Sequence, residues 1–231
     1  MLELIYSPDW FYRKDALIDI VSAAVLLLIA VFSYRYYRLN SQQKNYLHLS
    51  FSFGLLAAAF AAKAIVHYFM QNFVSGVQAG VRLLPIDHFY ASPNYYILFL
   101  AYRFLLVFAL YWLYTIYQSP SRMNLLLITY LLFISMLFTT ASYLVFHLTA
   151  FVLTFLITAT YIYRYKETKN PITLSVIISF GLFMLSRLLF IFVGHSPLLY
   201  VIAEVVQLVA FLGLLATFIR ILYHGKKTLT Y

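Results

Sequence analysis

Apolar residues dominate the chain in runs too long for strands, broken by short polar and basic stretches, and this pattern sets the fold before any single residue is weighed. A membrane-crossing helix needs roughly 20 apolar residues. Runs of that length fall at about 15–37, 46–71, 95–117, 122–140, 142–164, 171–193 and 197–223. The stretch 123–163 is too long for one crossing, and Thr139-Thr140-Ala141-Ser142 offers the place to divide it into a tight hairpin. The pattern therefore predicts an all-α, polytopic seven-transmembrane-helix bundle forming a single domain over 1–231.

Punctuation between the runs supports these divisions. Ser7-Pro8 and Asn170-Pro171 each pair a capping side chain with a proline at the first helical position, where the missing N–H costs nothing. Gln118-Ser119-Pro120 closes the third span, and Gly194-His195-Ser196-Pro197 turns the chain into the last. Residues 1–14 carry Trp10, Phe11 and Tyr12 together and lack the basic start and small-residue cleavage site of a secretory signal. They are expected to form an interfacial segment. The connection 72–94 is the longest and half apolar, which suggests an outer loop lying on the membrane or folding over the bundle.

Composition agrees with the pattern: 64% of the 231 residues are hydrophobic and 10% are charged, against about 25% charged in soluble domains. A net charge of +9 taken alone suggests nucleic acid, but its distribution speaks for topology instead. Arg35, Arg38, Lys44, Arg122, Arg164, Lys166, Lys169, Arg220, Lys226 and Lys227 fall at one set of ends, and Arg13, Lys14 and Arg82 at the other. By the positive-inside rule the N-terminus lies outside and the C-terminus in the cytoplasm, with the cell membrane as the expected location. No nucleic-acid partner is expected. The tyrosines Tyr34, Tyr36, Tyr37, Tyr46, Tyr161, Tyr163, Tyr165 and Tyr223 are expected to form an interfacial belt at the basic end.

The absence of cysteine excludes disulfides and thiolate chemistry. No HExxH, GxSxG or P-loop occurs, so no catalytic residue and no metal ligand is assigned. His195 beside Ser196 is explained by cap and turn.

What remains is a set of ionisable groups inside the spans. A charge at the centre of a bilayer costs roughly 3 kcal/mol on insertion scales, so such groups face protein and need partners. At 1.5 Å per residue, Lys63 lies roughly 12 Å from the outer end of its span. Asp19, His67, Arg103, His147, Arg187, Glu204 and Gln207 share that outer half. Lys63 and His67 stand four apart on one helical face; Tyr200, Glu204 and Gln207 share another, and Asp15, Asp19 and Ser22 a third. Lys63, Arg103 and Arg187 against Asp19 and Glu204 leave one positive charge, which favours an anionic guest.

The expected site is thus an outward-facing pocket in which Lys63 and Arg103 hold a small anionic ligand or lipid headgroup. Glu204 and Gln207 orient it, His67 and His147 tune it with pH, and Arg187 and Asp19 complete the set of binding residues. The corresponding function is a receptor or binding subunit, with a cytoplasmic or membrane partner at the basic loops. Against this stands a structural reading in which Lys63 with Glu204, or Arg103 with Asp19, are ion pairs fixing the helices. A small-solute or proton-coupled transporter and a structural subunit of a membrane complex are further alternatives. So is a haem or quinone electron carrier built on His67 and His147.

Seven spans with an outside N-terminus, at this length, are similar to the layout of microbial rhodopsins, and the similarity is one of topology. That family holds retinal through a lysine in the last span. Here the last span has Glu204 and Gln207 and no lysine within its apolar run, while Lys63 is on the second. Retinal is accordingly not expected. Membrane sensor domains with seven helices share the same layout.

Overall fold

A computed structural model gives the fold of residues 7–11, 14–39, 41–78, 93–116 and 143–228, with Leu126, Thr129, Tyr130 and Ile134. Among these described residues every regular element is helical. After a short 3-10 turn, Asp9–Phe11, come α1 (Lys14–Leu39), α2 (Lys44–Gln78) and α3 (Pro93–Thr115). Then follow α4 (Tyr143–Thr168), α5 (Pro171–Ile191), a 3-10 turn at Val193–His195, and α6 (Pro197–Thr228). Six of these helices are long and apolar enough to cross a membrane, which makes the chain a multi-pass membrane protein. Helices are the form such a run must take in lipid, because each closes its backbone hydrogen bonds within the segment. The span expected over 122–140 lies outside the described residues except for Leu126, Thr129, Tyr130 and Ile134, which are helical.

Boundaries follow local chemistry. Asn170 caps α5 by accepting from the Ile172 N–H at 2.9 Å, with Pro171 at the first helical position. Lys169, just past the end of α4, takes a left-handed φ of 48° and donates its N–H to Tyr165 O at 2.8 Å, closing the last turn. Ser196 Oγ accepts from Leu198 N at 3.3 Å at the start of α6. Helix α2 runs past the expected end at 71 to Gln78, since neither proline nor a charge interrupts Gln71-Asn72-Phe73-Val74-Ser75. The rest of the expected outer loop, 79–92, lies outside the described residues.

The helices pack in a ring that follows chain order: each of α1 to α5 lies against the next, and α6 closes on α1. On α1 the buried residues Asp15, Asp19, Ser22, Leu26, Ile29 and Ser33 alternate spacings of four and three, while Leu17, Ile20, Leu27, Leu28 and Val31 are exposed. Polarity is thus inverted relative to a soluble protein, with hydroxyls and charges inward and the bulky apolar face toward lipid. The hydroxyls of Thr154, Thr158 and Thr217 return to carbonyls on the preceding turn, at 2.7 to 2.8 Å.

Aromatic side chains fill the middle of the ring. Phe60 of α2 meets Phe211 of α6 at 5.1 Å and Tyr102 of α3 at 6.4 Å, and Tyr102 meets Phe146 of α4 at 5.6 Å. Phe53 of α2 meets Phe218 of α6 at 5.7 Å nearer the basic end. Such edge-on pairs add about 0.5–1.5 kcal/mol each beyond the area they bury.

Directions can be read from these contacts. Trp112, near the end of α3, lies against His48 and Phe51 at the start of α2, on the side of the basic loops. Tyr102 of α3 faces Phe146, one turn into α4. Helices α3 and α4 therefore run in the same direction.

Candidate functional site

The polar groups of α1, α2, α5 and α6 meet in one buried chain of contacts. Lys63 of α2 is its centre: Nζ donates to Asp19 Oδ1 of α1 at 3.0 Å and to Glu204 Oε1 of α6 at 2.5 Å. Its side chain is 4% exposed and both carboxylates are fully enclosed. The long stem of lysine allows this, since it carries the ammonium from α2 to a carboxylate on the adjacent α1 and to another on α6. Charge-assisted hydrogen bonds of this kind are about twice as strong as neutral ones.

From this centre the chain runs both ways. On one side His67, one turn beyond Lys63, places Nδ1 2.9 Å from Asp19 Oδ2, at ion-pair distance though not aligned as a hydrogen bond. On the other, Gln207 Nε2 donates to Glu204 Oε2 at 3.5 Å, and Gln207 Oε1 accepts from Arg187 Nη2 of α5. Counting the groups that are ordinarily charged, two cations (Lys63, Arg187) stand against two anions (Asp19, Glu204) along this line. A proton on His67 would leave one positive charge.

Arg187 differs from Lys63 in how it is answered. It is fully buried, and its Nε and Nη1 have no hydrogen-bond acceptor among the described residues. The guanidinium lies 4.7 Å from the ring of Phe183 and 5.4 Å from that of Phe190, both on its own helix. Cation–π contacts of about 2 kcal/mol offset part of the cost of a desolvated charge without meeting its directional N–H groups.

Two expected members stand to one side. Arg103 of α3 is clasped between Phe99 at 4.2 Å and Phe146 at 4.9 Å. His147 of α4 stacks on Phe190 at 4.8 Å and touches Tyr143 at 4.3 Å. Helix α3 lies between α2 and α4 in the ring, so His67 and His147 come from helices that are not packed neighbours.

Phe190 is the residue that the polar pattern alone did not single out. Lys63 lies 5.9 Å from its ring, Arg187 5.4 Å, His147 4.8 Å and Tyr200 5.7 Å, so one aromatic ring is common to groups from α2, α4, α5 and α6. Its spacing of three from Arg187 places it on the same helical face, which is the signal that could have found it.

The N-terminal segment covers this end. Ser7 Oγ donates to Asp15 Oδ2 at 3.2 Å, and Phe11 is 4% exposed with its ring 6.3 Å from Tyr200. Of the aromatic cluster expected at the interface, Trp10 stays outside under Lys14 Nζ at 5.5 Å, whereas Phe11 turns into the bundle. Pro8 makes that turn, its carbonyl accepting from Phe11 N at 2.8 Å.

Fold and site together define a polytopic helical membrane protein with a buried ionic network at one end of its ring. Comparison with protein families, with characterised proteins and with solved structures finds no match. Function must therefore be argued from the network itself.

Proposed function

We propose that the protein is a receptor or binding subunit that takes a small anionic ligand or an anionic lipid headgroup at Arg187. The observation behind this is the pair of buried guanidinium N–H groups, on Nε and Nη1, that no described residue accepts. A carboxylate or phosphate presents two acceptors in the geometry a guanidinium fork fits. Lys63 is committed to Asp19 and Glu204, so it positions the network, and Arg187 takes the direct contact. Arg103 and His147 border the same aromatic cluster from α3 and α4. The ligand arrives at the end covered by residues 7–11.

In this reading the bundle has seven spans. Helices α3 and α4 run the same way, so the chain between Thr115 and Tyr143 has to return across the ring, and 122–140 is the apolar run that serves. The ionic end faces outward and the basic end the cytoplasm, where Arg164, Lys166 and Lys169 offer a partner surface.

Binding is tested on purified protein by the shift of its thermal unfolding with inorganic phosphate, acetate or, in nanodiscs, phosphatidylglycerol. We expect at least one of these to stabilise wild type and the effect to weaken about tenfold in Arg187→Gln. Equal stabilisation of both proteins, or none by any anion, sinks the assignment. The short contact of His67 with Asp19 favours a second reading, a proton-coupled transporter. Solute flux in proteoliposomes that Glu204→Gln abolishes is the outcome that selects it.

A further inference from the structure

The opposite, basic end of the ring holds a cavity of about 740 Å³ that the ionic network does not use. That volume lies within the roughly 300–1,000 Å³ of ligand pockets. Its floor is apolar and comes from three helices: Phe53 of α2, Val176 and Phe180 of α5, and Leu214 and Phe218 of α6. Its rim is polar and cationic, with Lys44 at the start of α2 and Arg164 near the end of α4.

Two helix N-termini also open onto the rim, those of α2 at Lys44 to Tyr46 and of α5 at Asn170 to Thr173. Each carries the partial positive charge of the helix dipole in addition to the side-chain charges. Among the described residues, none that lines the cavity is acidic. The complement of such a lining is a molecule with one apolar chain and one anionic head, the head at the rim and the chain along the floor.

We propose that this cavity binds a single-chain anionic amphiphile, a fatty carboxylate or a lysophospholipid phosphate, with Lys44 and Arg164 at its head. Its chain lies between α2, α5 and α6 against the Phe53–Phe218 pair, which join on the floor at 5.7 Å. The cavity is separate from the ligand site at Arg187, and neither depends on the other.

The test uses the full chain in phosphatidylcholine nanodiscs and counts retained amphiphile by native mass spectrometry. Oleate, 1-oleoyl lysophosphatidate, neutral monoolein and two-chain phosphatidylglycerol are offered in turn. Wild type is expected to retain oleate or lysophosphatidate about tenfold better than monoolein, and the preferred head identifies the source as carboxylate or phosphate. Lys44→Glu with Arg164→Glu should abolish that preference, and Val176→Trp should displace the chain by filling the floor. Arg187→Gln should leave retention unchanged, which separates a failure here from a failure at the outer site. Should Val176→Trp fail to fold, Thr173→Trp at the rim gives the same readout. Equal retention of monoolein, tighter retention of phosphatidylglycerol, or wild-type retention by the doubly charge-reversed protein each overturns the proposal.

Discussion

At the scale of single residues, Lys63 carries a large energetic consequence, because its ammonium bonds two buried carboxylates, Asp19 and Glu204. Removing one partner of a buried ion pair costs about 3–5 kcal/mol, as the remaining charge has no water to return to. Lys63→Met strands two carboxylates at once, Asp19 and Glu204, within reach of one another through the vacated position. We therefore expect Lys63→Met to lower stability by about 3–5 kcal/mol, read from unfolding in a mild detergent. The triple variant Lys63→Met/Asp19→Asn/Glu204→Gln should recover most of that loss, because it removes the uncompensated charge. A triple variant no more stable than Lys63→Met would show that shape rather than charge holds these helices. Much of this network was legible in the sequence. Spacings of four on α2 and of three on α6 put Lys63 with His67 and Glu204 with Gln207, and shared depth put the pairs opposite each other. Lys63 with Glu204, 141 positions apart, is one of the ion pairs the sequence suggested; what it withheld was that the same ammonium also takes Asp19 of α1, which the sequence had set against Arg103, because nothing local to these residues says which helices touch. Lys63 is bonded to Asp19 and Glu204, whereas Nε and Nη1 of Arg187 meet no acceptor among the described residues, which is why the proposed contact with a guest moves to Arg187.

At the scale of elements, α5 and α6 approach closely at Gly213. A Cβ on Gly213 of α6 would lie 2.7 Å from Ser179 Oγ of α5, closer than real contacts allow. That hydroxyl is held by a bond to Ser175 O at 3.0 Å, so it yields only by giving up that bond. Two effects then oppose each other in Gly213→Ala: a helix-propensity gain of up to about 1 kcal/mol and the displacement of Ser179. Because a freed hydroxyl in an apolar interior costs about 1–3 kcal/mol, displacement should win and the single variant should be the less stable. Adding Ser179→Ala removes the obstacle, leaving only an ordinary 3.7 Å contact with its Cβ. The double variant should then be more stable than Gly213→Ala, by a margin that thermal unfolding resolves. If the single variant is already as stable as wild type, α5 and α6 have slack at this position. The start of α5 was legible from Asn170-Pro171, because a cap and a proline act within three residues. The inward turn of Phe11 was not, because its neighbour Tyr200 enters the chain 189 positions later.

At the scale of the whole molecule, the ring order leaves one question of connectivity that decides the topology. Helices α1 and α2 are antiparallel neighbours, as are α2 with α3, α4 with α5 and α5 with α6, which short connections or a single loop explain. Helices α3 and α4 break that alternation, since Trp112 at the end of α3 sits by His48 while Tyr143 at the start of α4 sits by His147 and Phe190. Because the chain has no cysteine, single cysteine variants report sidedness without background. Gln118→Cys follows α3 and Ser142→Cys precedes α4. If the intervening residues cross the membrane, an impermeant thiol reagent added to intact cells labels Ser142→Cys and spares Gln118→Cys. Thr168→Cys, at the basic end, should be spared with Gln118→Cys, and Ser196→Cys, before α6, should be labelled with Ser142→Cys. That outcome establishes seven crossings and, through the same four positions, the orientation that the basic loops imply, with the ionic network outward and the amphiphile cavity inward. Labelling of Gln118→Cys and Ser142→Cys from one side would reject the seventh crossing. Labelling of Thr168→Cys with Ser196→Cys protected would keep the ring and invert it, so that the anion at Arg187 would have to come from the cell interior.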